Sequence, residues 1–256
     1  FGADLGAEKF FDIKCRKAGL SPDAVVLVAT TKALKMHGGV KKEDLKEENI
    51  DAVKEGCKNL AKHIRNIGHF GVPVTVAINE FYTDTENEHQ AIIDFCKNLN
   101  VVCKISSHWE NGGAGASDLA THVADLVDSS ESSFRTLYDD EMSLWDKTRH
   151  IARTIYGAED ILADKRVRDK FAQFEKEGFG NYPICMAKTQ YSFSTDPLLM
   201  GAPTGHDVPI REVRLCSGAE FIVVVCGAIM TMPGLPRKPA SEAIGVDKDK
   251  NIEGLF

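Results

Sequence analysis

The chain has 256 residues, 43% of them hydrophobic and 27% charged, with a formal net charge of −7 and a pI near 5.6. This composition fits a soluble globular protein, and the length suffices for one large domain or two ordinary ones. The acidic balance gives no support to nucleic-acid or anionic-membrane binding, no apolar run reaches the length of a membrane-spanning helix, and the first ten residues show no signal-peptide pattern. We therefore expect a cytoplasmic protein without nucleic-acid or membrane partners.

The first element is a glycine-containing turn, FGADLG at residues 1–6, followed by a short helical pattern from about Glu8 to Cys15. In doubly wound folds such a turn usually follows a strand. No strand precedes it in this sequence, so we expect earlier strands of the fold to belong to sequence before Phe1.

Three apolar runs then predict strands of a parallel sheet. Each is rich in Val and Ile and lacks alternation, as expected of strands covered on both faces. Helical patterns between and after them predict right-handed strand–helix crossovers. In chain order these elements are the strand Ala24–Ala29, a helix from about Lys46 to Phe70, the strand Val72–Asn79, a helix over about Glu86–Leu99, the strand Val101–Ser106 and a helix over about Ala116–Val127. Three strands are fewer than the usual five or six, which again indicates a larger sheet.

The second half has a different pattern, after a polar link at Ser129–Ser133. Its predicted elements are helices near Ser143–Ile155 and Lys165–Glu177 and strands at Ile184–Phe193, Ile210–Cys216 and Phe221–Ile229. The short segment 217–219 is expected to turn the last two strands into a hairpin, and Met230–Pro239 to be irregular but packed. We therefore predict an α/β domain over residues 1–130 and a smaller α+β domain over 131–256.

The seven cysteines are scattered and show neither CxxC nor zinc spacing. Buried reduced thiols are favoured over metal ligation or disulfides, and no metal site is predicted.

Functional residues are expected where the predicted parallel strands end, because ligands of open α/β sheets bind beyond the carboxyl ends of the strands. The three strand ends carry Thr30–Lys32, Asn79–Glu86 and Ser106–Trp109. Asn79 is a candidate cofactor-binding residue. Thr83 or Asp84 could instead simply cap the following helix, and Thr83 and Glu86 have the spacing of a capping box.

Aromatic residues cluster at two of these strand ends. Phe81, Tyr82 and Trp109 could sandwich a flat heterocycle, although Trp109 alone could equally be a packing anchor.

Other residues near the strand ends give weaker signals. An ordinary polar role is favoured for His108. Lys32 and Lys35 lie near a strand end and could meet an anion, but a solvated helix face is favoured for both. The glycines at 112–115 match no phosphate-binding pattern, and GxxxxGK[ST] occurs nowhere in the sequence.

Several longer blocks give the sequence a family resemblance. They are FGADLGAEKFFDIKCR (1–16), ALKMHGG (33–39), NIGHFGVPVTVAIN (66–79), TDTE (83–86), AKTQYSFS (187–194), TMPGLP (231–236) and GLF (254–256). In this order, over essentially the whole chain, they resemble formate–tetrahydrofolate ligases.

The resemblance implies the C-terminal part of a P-loop-NTPase-like parallel-sheet domain, followed by the α+β domain. It implies an enzyme that uses ATP and formate to make formyl phosphate and transfers the formyl group to tetrahydrofolate, giving 10-formyltetrahydrofolate. Mg²⁺, a monovalent activator (K⁺ or NH₄⁺) and a homotetramer are implied as well. The phosphate loop and the catalytic residues are expected upstream of Phe1, in a missing N-terminal portion, so the isolated chain is expected to be inactive.

The same resemblance implies a folate site within this chain. Its stacking aromatics correspond to Phe81 and Trp109, with Ile105 and Tyr82 on the same wall and Phe1 nearby. Tyr82 departs from the family pattern, where proline also occurs. The tail before GLF departs from it too.

Two other functions were weighed against the ligase. One is a non-catalytic folate-binding or oligomerisation module derived from the same family. The other is a GTP-binding switch, for which the spacing of Asn79 and Asp84 is unsuitable.

Overall fold

The computed structural model describes residues 2–129, 132–229, 238–248 and 250–254. The strands are β1 (Val25–Ala29), β2 (Val74–Asn79), β3 (Cys103–Ser106), β4 (Asp160–Ala163), β5 (Ile184–Ala187), β6 (Asp207–Cys216), β7 (Phe221–Cys226), β8 (Gly245–Val246) and β9 (Ile252–Glu253). The α-helices are α1 (Ala3–Lys9), α2 (Arg16–Ala18), α3 (Thr31–His37), α4 (Ile50–His69), α5 (Glu86–Asn98), α6 (His108–Asn111), α7 (Ser117–Ser129), α8 (Leu144–Thr154) and α9 (Lys165–Phe174). Short 3₁₀ or π turns occupy Phe10–Cys15, Lys42–Asp44, Gly112–Ala116, Glu175–Phe179 and Ala240–Glu242.

The first sheet confirms the predicted parallel arrangement. Its order is β1-β2-β3, and both pairings are parallel. Ala29 is in register with Ile78, and Asn79 with Ser106. The carboxyl ends of all three strands therefore lie at one edge of the sheet.

The second sheet is mixed, in the order β4-β6-β7-β5. The predicted hairpin is confirmed, because β6 and β7 are antiparallel and Ala219 N donates to Cys216 O at 3.1 Å across the turn. The strand β4 was missed, since its four residues include a single buried hydrophobic side chain, Ile161. The strand β7 ends at Cys226 rather than Ile229.

The strand β5 ends at Ala187, whereas the sequence predicted a strand as far as Phe193. Side-chain hydroxyls explain the difference. Ser192 Oγ accepts from Ser194 N at 3.0 Å, and Ser194 Oγ accepts from Asp196 N at 3.0 Å. Such local bonds favour turns over a strand ladder.

Two helices pack closely beside the first sheet and set the position of one strand end. The helix α4 begins after its N-cap Asn49, four residues later than the predicted start. A Cβ on Gly56 would lie 1.9 Å from the carbonyl oxygen of Leu34, so glycine is needed for α3 to lie directly on α4. This contact fixes α3, which follows β1.

Among the described residues, buried hydrophobic side chains form two clusters. One lies between the first sheet and its helices. The other lies under the second sheet and includes residues from both halves of the chain. In this second cluster the ring of Phe11 packs 4.6 Å from that of Phe70 and 5.7 Å from that of Phe134.

Charged groups are buried at the same junction. Lys188 Nζ lies 3.1 Å from Asp4 Oδ2, and Glu8 and Asp12 are both buried. Burial raises the pKa of Glu8 to about 8 and that of Asp12 to about 6. The cores of the two halves therefore join through packed rings and a buried polar cluster.

Within the described ranges, no helix combines the length and apolar character needed to cross a membrane. Of the predicted irregular stretch Met230–Pro239, residues 230–237 lie outside the described residues.

Candidate functional site

The site is predicted at the edge of the first sheet where all three strands end. Thr30 caps α3 by accepting a hydrogen bond from Ala33 N at 3.1 Å, so the chain turns into a helix directly after β1. Beyond β2, Glu80 N donates to Ser106 O at 3.1 Å, which extends the pairing by one residue. The segments after β1, β2 and β3 therefore meet at one place.

A cleft of about 730 Å³ lies there, within the range of small-molecule sites. Phe81, Tyr82 and Trp109 all line it, as the sequence predicted. The side chains of Tyr82 and Trp109 are 90% and 89% exposed. Large aromatic side chains this exposed contribute little to a core, and their position favours ligand contact over a packing anchor for Trp109. The remaining lining residues are Lys32, Glu80, Asp84, Ser107 and Glu110.

The other candidate residues lie apart from this lining. Asn79 is the last residue of β2, and Ile105 is an exposed residue of β3 next to the edge. Neither belongs to the residues that form the cleft wall. Phe1 is outside the described residues. His108 has a polar partner, because its Nδ1 lies 2.9 Å from Ser106 Oγ.

The turn that carries the two aromatic residues of the β2 end is held by Asp84. Its Oδ2 accepts hydrogen bonds from Phe81 N at 3.1 Å and from His89 Nε2 at 3.3 Å. Burial acts to raise the pKa of Asp84, but the hydrogen bonds from His89 and Phe81 N outweigh it, and the pKa lies below its usual value. Asp84 is thus an ionised anchor for the backbone under Phe81.

The cap of the next helix differs from the prediction. Thr83 and Glu86 have the spacing of a capping box, but Thr85 and Glu88 form it, two residues later. Thr85 Oγ1 accepts from Glu88 N at 3.3 Å, and Glu88 Oε2 accepts from Thr85 N at 3.3 Å. Asp84 is engaged in the turn instead, which explains why the helix begins only after it.

Glu88 also holds the neighbouring helix. Its Oε1 lies 2.9 Å from Lys35 Nζ, and both side chains are fully buried. Lys35 additionally donates to Glu47 O at 2.9 Å. The solvated role favoured for Lys35 was therefore wrong, because this lysine joins α3 to α5 beneath the cleft.

The opposite wall of the cleft is a compact helical segment that follows β3. Trp109 lies in α6, and a 3₁₀ turn over the glycines follows. Ser107 N donates to Gly115 O at 3.0 Å. A Cβ on Gly115 would be 2.6 Å from the Ser107 backbone, so a glycine here allows the segment to fold back and support Trp109.

Lys32 lies in the cleft wall, with Nζ 4.4 Å from the centre of the Phe81 ring. The sequence favoured a solvated helix face for it and left an anion-binding role open. Its half-buried position in the cleft is compatible with the anion-binding role.

Metal-ligating side chains do not converge in the described ranges, where no group of three His, Cys, Asp or Glu residues could hold an ion. The seven cysteines are free thiols, and Cys15, Cys57, Cys96 and Cys226 are buried. The cleft therefore offers aromatic faces, carboxylates and one ammonium group, which suit a flat polar ring.

Comparison with known proteins gives a consistent family. The model of the family described as formate–tetrahydrofolate ligase matches residues 1–256. Among curated proteins, formate–tetrahydrofolate ligases of Pelagibacter ubique, Granulibacter bethesdensis and Sinorhizobium medicae are 58%, 60% and 61% identical over 256 residues. These alignments cover 100% of this chain and 46%, 45% and 45% of the respective relatives. The chain thus spans under half the length of these relatives.

Proposed function

The chain belongs to the formate–tetrahydrofolate ligase family, and from this we propose that it supplies the folate side of an ATP-dependent ligation of formate to tetrahydrofolate. The observation that carries the proposal is the cleft at the strand ends, where Phe81, Tyr82 and Trp109 present aromatic surface. In the proposed reaction, formate attacks the γ-phosphorus of ATP to give formyl phosphate and ADP. The N10 nitrogen of tetrahydrofolate then attacks the formyl carbon and releases phosphate.

In this proposal the cleft binds and orients the folate rings. Stacking between aromatic faces is worth about 0.5–1.5 kcal/mol per pair beyond the burial of area. Asp84 fixes the backbone of the turn, and the folded glycine segment fixes Trp109, so the two walls are held before a ligand binds. Such prior ordering lowers the entropic cost of binding. We keep Ile105, Asn79 and Phe1 as proposed neighbours of the bound substrate.

In this proposal, ATP binding and formyl phosphate formation belong to the part of the ligase that this chain does not include. No GxxxxGK[ST] loop occurs in this sequence, and the chain spans under half of its relatives. Residues 1–130 would then complete a P-loop-NTPase-like sheet domain, and 131–256 would form the smaller α+β domain. We propose that this chain alone makes no 10-formyltetrahydrofolate.

Mg²⁺ and a monovalent activator belong to the same proposal for the whole ligase. The described residues of this chain offer no set of three ligating side chains for a metal ion, so we derive no step of the reaction from one. A homotetramer and a cytoplasmic location are also proposed on the basis of the family alone.

Binding to this chain tests the folate assignment. We expect Trp109→Ala to weaken tetrahydrofolate binding about tenfold, since this corresponds to about 1.4 kcal/mol of lost stacking and contact. Isothermal calorimetry would measure the binding of tetrahydrofolate to each variant. The matched control is Trp145→Phe, which alters the other tryptophan, packed 5.6 Å from the Phe171 ring away from the cleft.

Unchanged tetrahydrofolate affinity in Trp109→Ala would overturn the stacking assignment. An equal loss in both tryptophan variants would show a general effect on folding instead. Robust ATP- and formate-dependent product from the 256-residue chain alone would overturn the proposed division of labour. Folate binding by a full-length protein that makes no product would favour a non-catalytic folate-binding module.

A further inference from the structure

One ammonium group in the wall of the aromatic cleft, that of Lys32, has no acidic partner among the described residues. Lys32 Nζ lies 4.4 Å from the centre of the Phe81 ring and 6.0 Å from that of Tyr82. Within the described part of the chain, none of the ion pairs and side-chain hydrogen bonds involves Lys32, although Glu80 and Glu110 line the same cleft. The charge of Lys32 therefore remains available to a ligand.

The next lysine of the same helix shows what a structural lysine looks like here. Lys35 is fully buried, pairs with Glu88 at 2.9 Å and donates to a backbone carbonyl. Lys32 is only half-buried and contacts ring faces instead. Lys35 therefore joins two helices, whereas Lys32, one helical turn away, faces the cleft.

The rings place the ammonium group where a ligand would meet it. A cation over an aromatic face is only weakly attracted to the ring at an exposed site. A ligand ring that stacks on Phe81 takes the place of the ammonium on that face. An anionic group on the same ligand then provides a new partner within reach of the flexible four-carbon stem of Lys32.

The carboxylates in the cleft wall favour a ligand anion of low charge. Lys32 stands beside the carboxylates of Glu80, Asp84 and Glu110 in the lining. Three carboxylates repel a phosphate dianion more strongly than a single carboxylate, while they suit the N–H donors of a pterin ring. The wall thus favours a ligand with a donor-rich ring and a singly charged arm.

We propose that Lys32 forms a carboxylate subsite of the cleft, which pairs with a carboxylate of the glutamate arm of tetrahydrofolate. The inference rests on the proposed folate function and adds an anion-binding residue to the aromatic cleft. Lys32 is a binding residue in this assignment and takes no part in formyl transfer.

Two ligands that differ only in the arm provide the test. We expect Lys32→Met, which keeps the length of the stem, to weaken tetrahydrofolate binding by about fivefold to tenfold at low salt. Binding of the tetrahydropteroyl amide, which has the same rings without glutamate, should change by less than about twofold. The loss for tetrahydrofolate should shrink at about 1 M salt, because salt screens an exposed ion pair. Lys32→Arg should restore most of the affinity.

The matched control is Lys54→Met, on the exposed side of α4. It should leave the affinity for both ligands unchanged. Calorimetry gives the affinities, and circular dichroism checks that each variant is folded.

Several outcomes would overturn the inference. Equal losses for the two ligands would mean that Lys32 only packs on the rings. Competition by inorganic phosphate in the wild-type chain but not in Lys32→Met would mean that the subsite takes phosphate. An unchanged affinity in Lys32→Met, with Trp109→Ala still impaired, would remove the subsite and leave the folate cleft standing. If the wild-type chain binds neither ligand, the folate cleft fails together with the subsite.

Discussion

The two sheets differ in how completely their faces are covered. In the second sheet, the central side chains of β5 and β7 have no exposed surface, among them Met186, Ile222 and Val224. In the first sheet, Val26 and Val28 of the edge strand β1 are 40% and 62% exposed. The helix α7 beside it buries none of its residues. The inner strands of the second sheet therefore lie in a closed core, whereas the edge strand of the first sheet leaves apolar side chains exposed.

This difference in burial predicts that substitutions in the two sheets affect different properties. A closed core depends on every methyl group, since interiors are packed as densely as organic crystals. An open face leaves room for ligands and partners and contributes less to folding. We infer that substitutions in the second sheet act mainly on the free energy of unfolding, and that those at the edge of the first sheet act mainly on binding.

The same substitution in both sheets gives the largest expected contrast. Val224→Ala removes two buried methyl groups from β7 and should lower the free energy of unfolding by about 2–4 kcal/mol. Val28→Ala, on the exposed face of β1, should lower it by less than about 1 kcal/mol. Urea denaturation followed by circular dichroism measures both values. Equal losses at the two positions would show that the face of β1 is covered in solution and would break the comparison.

The closed core also contains acids that oppose folding as the pH rises. Burial raises the pKa of Glu8 from 4.5 to about 8, and that of Asp12 from 3.8 to about 6. Because the folded state binds these protons more tightly than the unfolded chain, each acid contributes its full stability only below its unfolded pKa, 4.5 for Glu8 and 3.8 for Asp12. This contribution is then lost as the pH rises towards the folded pKa, at roughly 1.4 kcal/mol per pH unit for one group.

Glu8→Gln tests this pH dependence, because the amide mimics the protonated acid. We expect the variant to match the wild-type chain near pH 4.5 and to exceed its unfolding free energy by roughly 3 kcal/mol at pH 7. Denaturant titrations at several pH values provide the measurement, with the exposed Glu43→Gln as the control. A wild-type chain that becomes more stable between pH 5 and pH 8 would contradict the assigned direction.

The sequence predicted the three parallel strands of the first sheet, because they are continuous apolar runs that end in recognisable polar residues. It was wrong that all three are covered on both faces, since Val26 and Val28 of β1 and Ile105 of β3 are exposed. It also predicted that Phe81, Tyr82 and Trp109 would come together, since parallel strands end at one edge. It did not predict β4, because a strand of four residues is too short to show a periodicity. The contacts of Lys32 and Lys35 are made with Phe81 and Glu88, which are far along the chain. The residue spacing within α3 therefore cannot predict them.

The smallest expected effect concerns the helix cap beneath the cleft, where the sequence chose the wrong threonine. Thr85→Ala removes the hydroxyl that accepts from Glu88 N and should lower the free energy of unfolding by about 1 kcal/mol. Thr83→Ala is the matched control and should change it by less than about 0.5 kcal/mol, because the Thr83 hydroxyl has no hydrogen-bond partner within the described structure.

The affinity for tetrahydrofolate shows whether this local loss reaches the site. Glu88 keeps its buried contact with Lys35 when the cap is lost, and Asp84 still holds the backbone of Phe81. We therefore expect Thr85→Ala to cost stability while leaving the affinity within about twofold of the wild-type value. A larger loss of affinity than of stability would mean that the cap itself sets the position of the aromatic turn. Local stability at the edge of the first sheet would then affect ligand binding, although this edge was expected to act on binding alone.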